Sequence, residues 1–98
     1  MNPTVLIIVA KILAREEKVE TVKSDLLKLV LETKEKEGCL IYDLHQDNTN
    51  ANLFLVYEKW KSKAHLQNHI NSEYFLAFKQ STEGAIEEFT VNEITKII

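Results

Sequence analysis

Glycine, proline and cysteine are all scarce in this sequence, and the shortage excludes several classes of protein. Two glycines are too few for the glycine-rich loops with which nucleotide- and flavin-binding proteins hold phosphate groups. The single cysteine, Cys39, excludes an internal disulfide and fits a reducing cytoplasm. No basic residue adjoins Cys39 to stabilise a thiolate, so we interpret it as a small buried strand residue.

A basic stripe and a long apolar run are missing as well. The net charge of −3 and the pI of about 5.6 argue against nucleic acid, whose phosphates require clustered cations. The apolar run from Val5 to Ala10 has no basic residue before it and is interrupted by Lys11, which excludes a signal or membrane segment. We therefore expect one cytoplasmic, unprocessed domain over residues 1–98 that binds neither nucleic acid nor membranes.

The hydrophobic pattern predicts a strand, a helix and a hairpin in the first part of the chain. Thr4 to Ala14 is apolar at nearly every position, as in a strand that is covered on both faces. From Val19, apolar residues recur every three or four positions, which predicts an amphipathic helix of about five turns ended by Gly38. Cys39 to Gln46 and Leu53 to Trp60 predict two antiparallel strands joined by a polar turn.

Two serines indicate where short helices begin in the second part of the chain. Ser62 and Ser72 are natural N-caps, and each is followed by a helical pattern. The segment from Gln80 to Glu88 is interpreted as a loop or a frayed helix end. Glu87 to Ile98 alternates in part between apolar and polar residues and predicts a final strand.

Strand alternation assigns side chains to faces, although the register between strands stays open at this point. On the third strand, one face carries Phe54, Val56, Glu58 and Trp60, and the other carries Leu53, Leu55, Tyr57 and Lys59. On the second strand, Tyr42 is expected to share a face with Leu40 and Leu44.

The order of elements predicts an α+β fold and a dimer. A β-α-β-β-α-β chain folds as a four-stranded antiparallel sheet with helices on one face. The opposite face would expose Leu53, Leu55, Tyr57 and one side of the first strand, which is more apolar surface than soluble monomers usually leave uncovered. A second copy packed sheet against sheet would cover it, so we predict an obligate homodimer.

Two histidines and a glutamate are the first candidates for chemistry. His65 and His69 are four residues apart, but no glutamate lies between them as in a zinc-binding helix, and we expect no metal. His69 is interpreted either as a general base or proton shuttle, or as a structural residue. Glu58 needs a partner if it is buried, and a Glu58–His69 pair would serve either role.

Aromatic residues could form the wall of a pocket for a planar ligand. The candidates are Trp60, Tyr42, Tyr74 and Phe78. Ordinary core packing is the alternative interpretation for each of them.

One set of residues spans nearly the whole chain and forms a recognisable pattern. It comprises Glu37-Gly38-Cys39-Leu40-x-Tyr42, Tyr57-Glu58-x-Trp60, Ser62, Ala64, His69, Ser72, Tyr74 and Phe75. This pattern resembles the antibiotic biosynthesis monooxygenase family, which implies a ferredoxin-like fold and a dimeric α+β barrel. Tyr74 departs from the second histidine of many relatives. The positions corresponding to the haem-degrading relatives' motif are Ala10, His69 and Lys79, which depart from it, so haem degradation is not expected.

The resemblance leads to a hypothesis about function. It implies a cofactor-independent monooxygenase that oxidises a small hydroquinone or phenol with dioxygen, with His69 and Glu58 as the catalytic residues. Two alternatives stay open. One is a non-catalytic dimer that binds a small aromatic ligand, and the other is an isomerase of a small carbonyl compound that uses His69 and Glu58 for proton transfer.

Overall fold

The fold is a four-stranded antiparallel sheet with three α-helices packed on one face, as the element order predicts. The computed structural model describes residues 5–98. Along the chain the elements are β1 (Leu6–Ala14), a short 3-10 helix (Glu16–Lys18), α1 (Val19–Lys34), β2 (Cys39–Gln46), β3 (Leu53–Trp60), α2 (Lys63–Ile70), α3 (Glu73–Ser81) and β4 (Ile86–Ile94). The strands lie in the order β2-β3-β1-β4. Thr4, where the predicted first strand begins, lies outside the described residues.

Helix α1 packs the predicted apolar stripe against the sheet but ends earlier than its sequence suggests. Its buried residues are Val22, Leu26, Leu29, Val30 and Thr33. The helix ends at Lys34, not at Gly38, because the backbone tightens into a turn in which Lys36 N donates to Thr33 O. Gly38, with φ of +85°, then reverses the chain into β2. In residues 5–98, no helix has both the length and the apolar character that crossing a membrane requires.

The hairpin of β2 and β3 has the predicted bounds, but one side chain of β2 takes a different face. The pairing shifts between Cys39, opposite Trp60, and Ile41, opposite Lys59. This bulge leaves Leu40 without a partner and 53% exposed, whereas Tyr42 is buried. The prediction that Leu40 shares a face with Tyr42 is therefore wrong.

The two short helices begin at the predicted caps. The Ser62 hydroxyl accepts a hydrogen bond from His65 N in α2, and the Ser72 hydroxyl accepts one from Phe75 N in α3. Strand β4 follows a turn at Gly84 and begins one residue before the predicted position. It ends at Ile94, so residues 95–98 lie beyond the strand and the predicted extension to Ile98 is wrong.

The sheet has one buried face and one apolar face that is only half-buried. The helix side buries Ile8, Ala10 and Ile12 of β1 opposite Glu58, Val56 and Phe54 of β3. The other side, here named the outer face, also carries Lys11 and Lys59, but most of its residues on β1 and β3 are half-buried and apolar, namely Ile7, Val9, Leu13, Leu53, Leu55 and Tyr57. Strand alternation thus produces the uncovered apolar face that the sequence predicts.

Candidate functional site

Glu58 and Trp60 form a buried hydrogen-bonded pair on the helix side of β3. Two residues apart on one strand, their side chains share a face, and Trp60 Nε1 donates to Glu58 Oε1 at 2.9 Å. Glu58 is 5% exposed and Trp60 is fully buried. The indole satisfies one carboxyl oxygen but brings no positive charge.

The surroundings of Glu58 therefore change its acidity. Burial raises the pKa of Glu58 to about 7, although the hydrogen bond from Trp60 acts in the opposite direction. The carboxyl group consequently exists in both protonation states at neutral pH. A carboxyl group with such a pKa suits general acid–base chemistry better than an ordinary surface glutamate.

His69 lies at the end of α2 and is held by the junction with α3. The Ser72 hydroxyl donates to His69 O at 2.7 Å and caps α3, so one serine links the end of α2 to the start of α3. This junction brings Tyr74, in the first turn of α3, to the imidazole. The Tyr74 hydroxyl lies 2.7 Å from His69 Nδ1.

Aromatic rings surround the His69 side chain, which is 4% exposed. The ring centroids of Trp60, Phe75 and Tyr42 lie 4.8, 4.9 and 5.5 Å from that of the imidazole. Burial lowers the pKa of His69 to about 4. His69 is therefore neutral near pH 7.

The predicted Glu58–His69 pair is not formed. Glu58 is bonded to Trp60, and His69 Nδ1 is bonded to Tyr74. The α2–α3 junction brings His69 Nδ1 to Tyr74. Glu58 and His69 nevertheless line one cavity.

That cavity, here named the inner cavity, lies between the sheet and the helices and has a volume of about 70 Å³. Three of its lining side chains can ionise, namely Tyr42, Glu58 and His69. Burial raises the pKa of Tyr42, and the neighbouring charge of Glu58 adds to this effect, so its phenol stays protonated. The remaining lining is apolar and consists of Ile8, Ala10, Ile12, Leu26, Leu29, Val56, Leu66, Ile70, Phe75, Phe78, Phe89 and Val91.

A second depression, here named the outer cleft, shares His69 with the inner cavity. It is open to solvent, has a volume of about 520 Å³ and is lined by Glu32, Lys36, Glu37, Trp60, His65, Asn68, His69, Ser72, Glu73 and Tyr74. Of the six residues predicted for the site, Tyr42, Glu58 and Phe78 line the inner cavity, and Trp60 and Tyr74 line the outer cleft. His69 lines both.

Sequence reasoning did not assign the mouth of the inner cavity or the ring of Phe75 to the site. The mouth consists of Ile70, Phe89 and Val91, which are 41%, 40% and 57% exposed. Antiparallel pairing with β1 places Phe89 opposite Ile12 and Val91 opposite Ala10. The partial alternation of β4 is the signal that could have indicated this face, but only with the register known.

The surroundings of Cys39 and His65 favour a structural role for both residues. Burial and the nearby charge of Glu58 raise the pKa of Cys39 to about 11, so its thiol stays protonated. His65 Nδ1 lies 2.7 Å from the Ser62 hydroxyl at the start of α2. Within residues 5–98, His, Cys, Asp and Glu form no group of three or more that could hold a metal ion.

Comparison with known proteins identifies relatives that share both sequence and fold. The family model described as antibiotic biosynthesis monooxygenase matches residues 5–81. YcnE of Bacillus subtilis (strain 168), whose name proposes a monooxygenase, is 32% identical over 73 residues, which are 74% of this chain and 77% of that protein.

Two further comparisons define how far the similarity extends. The uncharacterised protein sll1783 of Synechocystis sp. is 29% identical over 65 residues, which are 66% of this chain but only 44% of that protein. The crystal structure of PA3566 from Pseudomonas aeruginosa superposes with a TM-score of 0.93 at 32% identity and covers 100% of this chain and 99% of that one. The family match over most of the chain, together with this shared fold, shows that the protein belongs to the antibiotic biosynthesis monooxygenase family.

Proposed function

We propose that the protein is a cofactor-independent monooxygenase that oxidises a small hydroquinone or phenol with dioxygen. The observation that carries the proposal is the inner cavity, where Tyr42, Glu58 and His69 are set into an otherwise apolar lining. Such a lining suits an aromatic ring, and a few polar groups orient it. The family and the name of the relative YcnE support the same reaction class.

The reaction needs no external reductant. A hydroquinone and dioxygen give a hydroxyquinone and water, so that one oxygen atom enters the ring and the other leaves as water. The substrate supplies all the electrons, because its ionised form is electron-rich enough to pass one to dioxygen. The protein has to remove a phenolic proton and keep bulk water away from the reacting ring.

Glu58 is better suited than His69 to take that proton. An unperturbed phenol has a pKa of about 10. Transfer to Glu58, with its pKa of about 7, costs ~4 kcal/mol, whereas transfer to His69, with its pKa of about 4, costs ~8 kcal/mol. Glu58 is therefore the proposed base, and His69 closes the cavity beside it.

Substrate entry requires side chains to move at the mouth of the inner cavity. A cavity of about 150 Å³ admits benzene in a well-studied engineered protein, and the inner cavity measures about 70 Å³. Ile70, Phe89 and Val91 are partly exposed and can rotate away from the opening. A ring would then lie against Phe78, with its hydroxyl directed to Glu58.

The proposal includes a homodimer built on the outer face. The apolar residues Val9, Leu55 and Tyr57 are only half-buried in one chain, although they lie on the two central strands. A second copy, packed sheet against sheet about a two-fold axis, would remove them from water.

Oxygen uptake with a panel of hydroquinones and phenols tests the reaction. Replacing the base in Glu58→Gln keeps the shape and the indole hydrogen bond, and we expect the rate to fall by about 10² to 10⁴. Glu20→Gln, on the exposed side of α1, is the matched control and should retain the wild-type rate. Absence of uptake by the wild-type protein with every substrate of the panel would contradict the proposal.

An isomerase of a small carbonyl compound is the second candidate. The pKa of about 7 at Glu58 suits proton transfer alone, which consumes no oxygen. Turnover of a carbonyl substrate under anaerobic conditions would favour this candidate. Thermal stabilisation by aromatic compounds without any turnover would instead favour a dimer that only binds its ligand.

A further inference from the structure

We propose that Tyr74 is a positioning residue that fixes His69 as the neutral tautomer protonated on Nε2. In this state His69 acts in the inner cavity as a hydrogen-bond donor to an oxygen anion, not as a proton acceptor. The inference rests on the proposed function for the identity of that anion. The tautomer itself is a property of the unliganded protein and can be measured without substrate.

The direction of the hydrogen bond between Tyr74 and His69 determines which imidazole nitrogen carries the proton. The two groups are 2.7 Å apart, and either could in principle donate. A phenol is a stronger acid than a neutral imidazole N–H, and an imidazole nitrogen lone pair is a stronger acceptor than a phenolic oxygen. The Tyr74 hydroxyl therefore donates and His69 Nδ1 accepts.

A nearby lysine strengthens this direction. Lys36 Nζ lies 4.9 Å from the centroid of the Tyr74 ring. A positive charge over an aromatic face draws electron density from the ring, which makes the attached hydroxyl a better donor. The bond from Tyr74 to His69 is thus polarised towards the imidazole.

Thr33 is a competing acceptor for the Tyr74 proton. Its hydroxyl donates to Leu29 O at 2.6 Å, so only its lone pairs remain for other groups. Burial raises the pKa of Tyr74, and the neighbouring hydroxyls of Ser72 and Thr33 act in the opposite direction. If Tyr74 donated to Thr33, His69 Nδ1 would have to carry the proton instead, and the opposite tautomer would form.

The consequence for the site follows from the single N–H of a neutral imidazole. When Nδ1 accepts from Tyr74, Nε2 carries the proton and has a hydrogen to donate. The two nitrogens lie on different edges of the ring, so the proposal places Nε2, which faces away from Tyr74, in the inner cavity that the ring lines. A donor fixed there stabilises the phenolate that forms when Glu58 removes the proton.

Nitrogen NMR of the three histidines provides the test. In uniformly ¹⁵N-labelled protein at pH 7, we expect the His69 signals to show a protonated Nε2 and an Nδ1 that accepts a hydrogen bond. His69→Gln identifies the signals by their loss. In Tyr74→Phe we expect the tautomers to mix, whereas Tyr57→Phe, on the outer face, should leave them unchanged.

Each result decides a separate question. A protonated Nδ1 in the wild-type protein, or an unchanged tautomer in Tyr74→Phe, would overturn the inference. If Tyr74→Phe does not fold, the wild-type spectrum still decides which nitrogen carries the proton. A protonated Nε2 without any oxygen uptake would support the tautomer assignment while contradicting the proposed monooxygenase.

The kinetic expectation separates positioning from substrate binding. We expect Tyr74→Phe to lower kcat by about tenfold with little change in KM, less than the roughly 10² to 10³ typical when an anion-stabilising donor is removed outright. A rise in KM with unchanged kcat would overturn the positioning role and make Tyr74 a substrate-binding residue.

Discussion

Glu58 and His69 depart from their ordinary pKa values in opposite directions for one reason. Both are buried in apolar surroundings, which disfavour a charge of either sign. The pKa of the acid rises to about 7, and that of the base falls to about 4. Both side chains are uncharged near pH 5.5, and each influences stability over a defined pH range.

The two contributions to stability have opposite pH dependences. The native state keeps the Glu58 proton up to about pH 7, whereas the unfolded chain releases it near 4.5. Its contribution is therefore complete below pH 4.5 and is lost as the pH rises to 7. The unfolded chain protonates His69 near pH 6.5 and the native state only near 4, so that contribution is lost as the pH falls.

Substitution of either residue should remove its own pH-dependent contribution to stability. The free energy of unfolding of the wild-type protein falls between pH 4.5 and 7 as Glu58 ionises, whereas glutamine cannot ionise. The difference between Glu58→Gln and wild type should therefore rise by about 3 kcal/mol over this range. That between His69→Gln and wild type should rise by about 3 kcal/mol as the pH falls from 6.5 to 4. Urea unfolding at fixed protein concentration measures both.

The control for these measurements is a substitution on the surface. Glu20→Gln lies on the exposed side of α1, and its difference from wild type should vary little with pH. Parallel curves for Glu58→Gln and wild type would contradict the assigned acidity of Glu58.

At the scale of elements, the turn between α1 and β2 depends on a glycine that also contacts α2. Gly38 has φ of +85°, and a Cβ at this position would collide with the ring of His65. Left-handed backbone strain in Gly38→Ala costs roughly 1–2 kcal/mol, and displacing α2 adds a further cost. The substitution should therefore lower the free energy of unfolding by more than about 2 kcal/mol. The shift of the urea unfolding midpoint measures this loss when the slope of the unfolding free energy against urea concentration is unchanged.

Gly84 provides a matched control in the same chain. Its φ of +80° imposes similar backbone strain, but no atom lies within 4 Å of the position of a Cβ. Gly84→Ala should lower the free energy of unfolding by about 1 kcal/mol. Equal losses of unfolding free energy at the two glycines would show that His65 moves aside without a cost to stability.

The elements could be predicted from sequence where the signal is local. The bounds of β2 and β3 and the caps Ser62 and Ser72 follow from alternation and from serine hydroxyls that accept backbone N–H groups. The face of Leu40 could not be predicted, because the bulge arises from pairing with another strand. The early end of α1 could not be predicted either, because no characteristic residue type marks the turn that ends it.

The site could be predicted only in part for a related reason. The closeness of Glu58 and Trp60 follows from their spacing on one strand. The contact of His69 with Tyr74 depends on the angle between two helices, and the mouth formed by Phe89 and Val91 depends on the register of β4. Such tertiary relationships are not contained in the periodicity of a single segment.

At the scale of the whole molecule, the outer face predicts the state of assembly. Val9 lies on a central strand, opposite Tyr57, and Val9→Asp would place a charge in the proposed dimer interface. Even an uncharged polar group costs about 1–3 kcal/mol when it is buried unpaired, and two-fold symmetry doubles this to at least roughly 2–6 kcal/mol. Sedimentation should therefore show a wild-type dimer and a much weaker association of the variant.

A second charged substitution separates interface effects from general ones. Leu31 is 69% exposed on α1, far from the proposed contact, and Leu31→Asp should sediment as wild type does. A stable folded monomer of the wild-type protein at micromolar concentration would contradict the dimer.

The hydrogen bond between Trp60 and Glu58 has a practical consequence. Trp60 is the only tryptophan of the chain, so all indole fluorescence originates at one buried ring. Its N–H is bonded directly to the carboxyl group proposed as the base. The unlabelled protein thus carries its own optical reporter, through which the protonation of that group and the arrival of a ligand can be followed in real time.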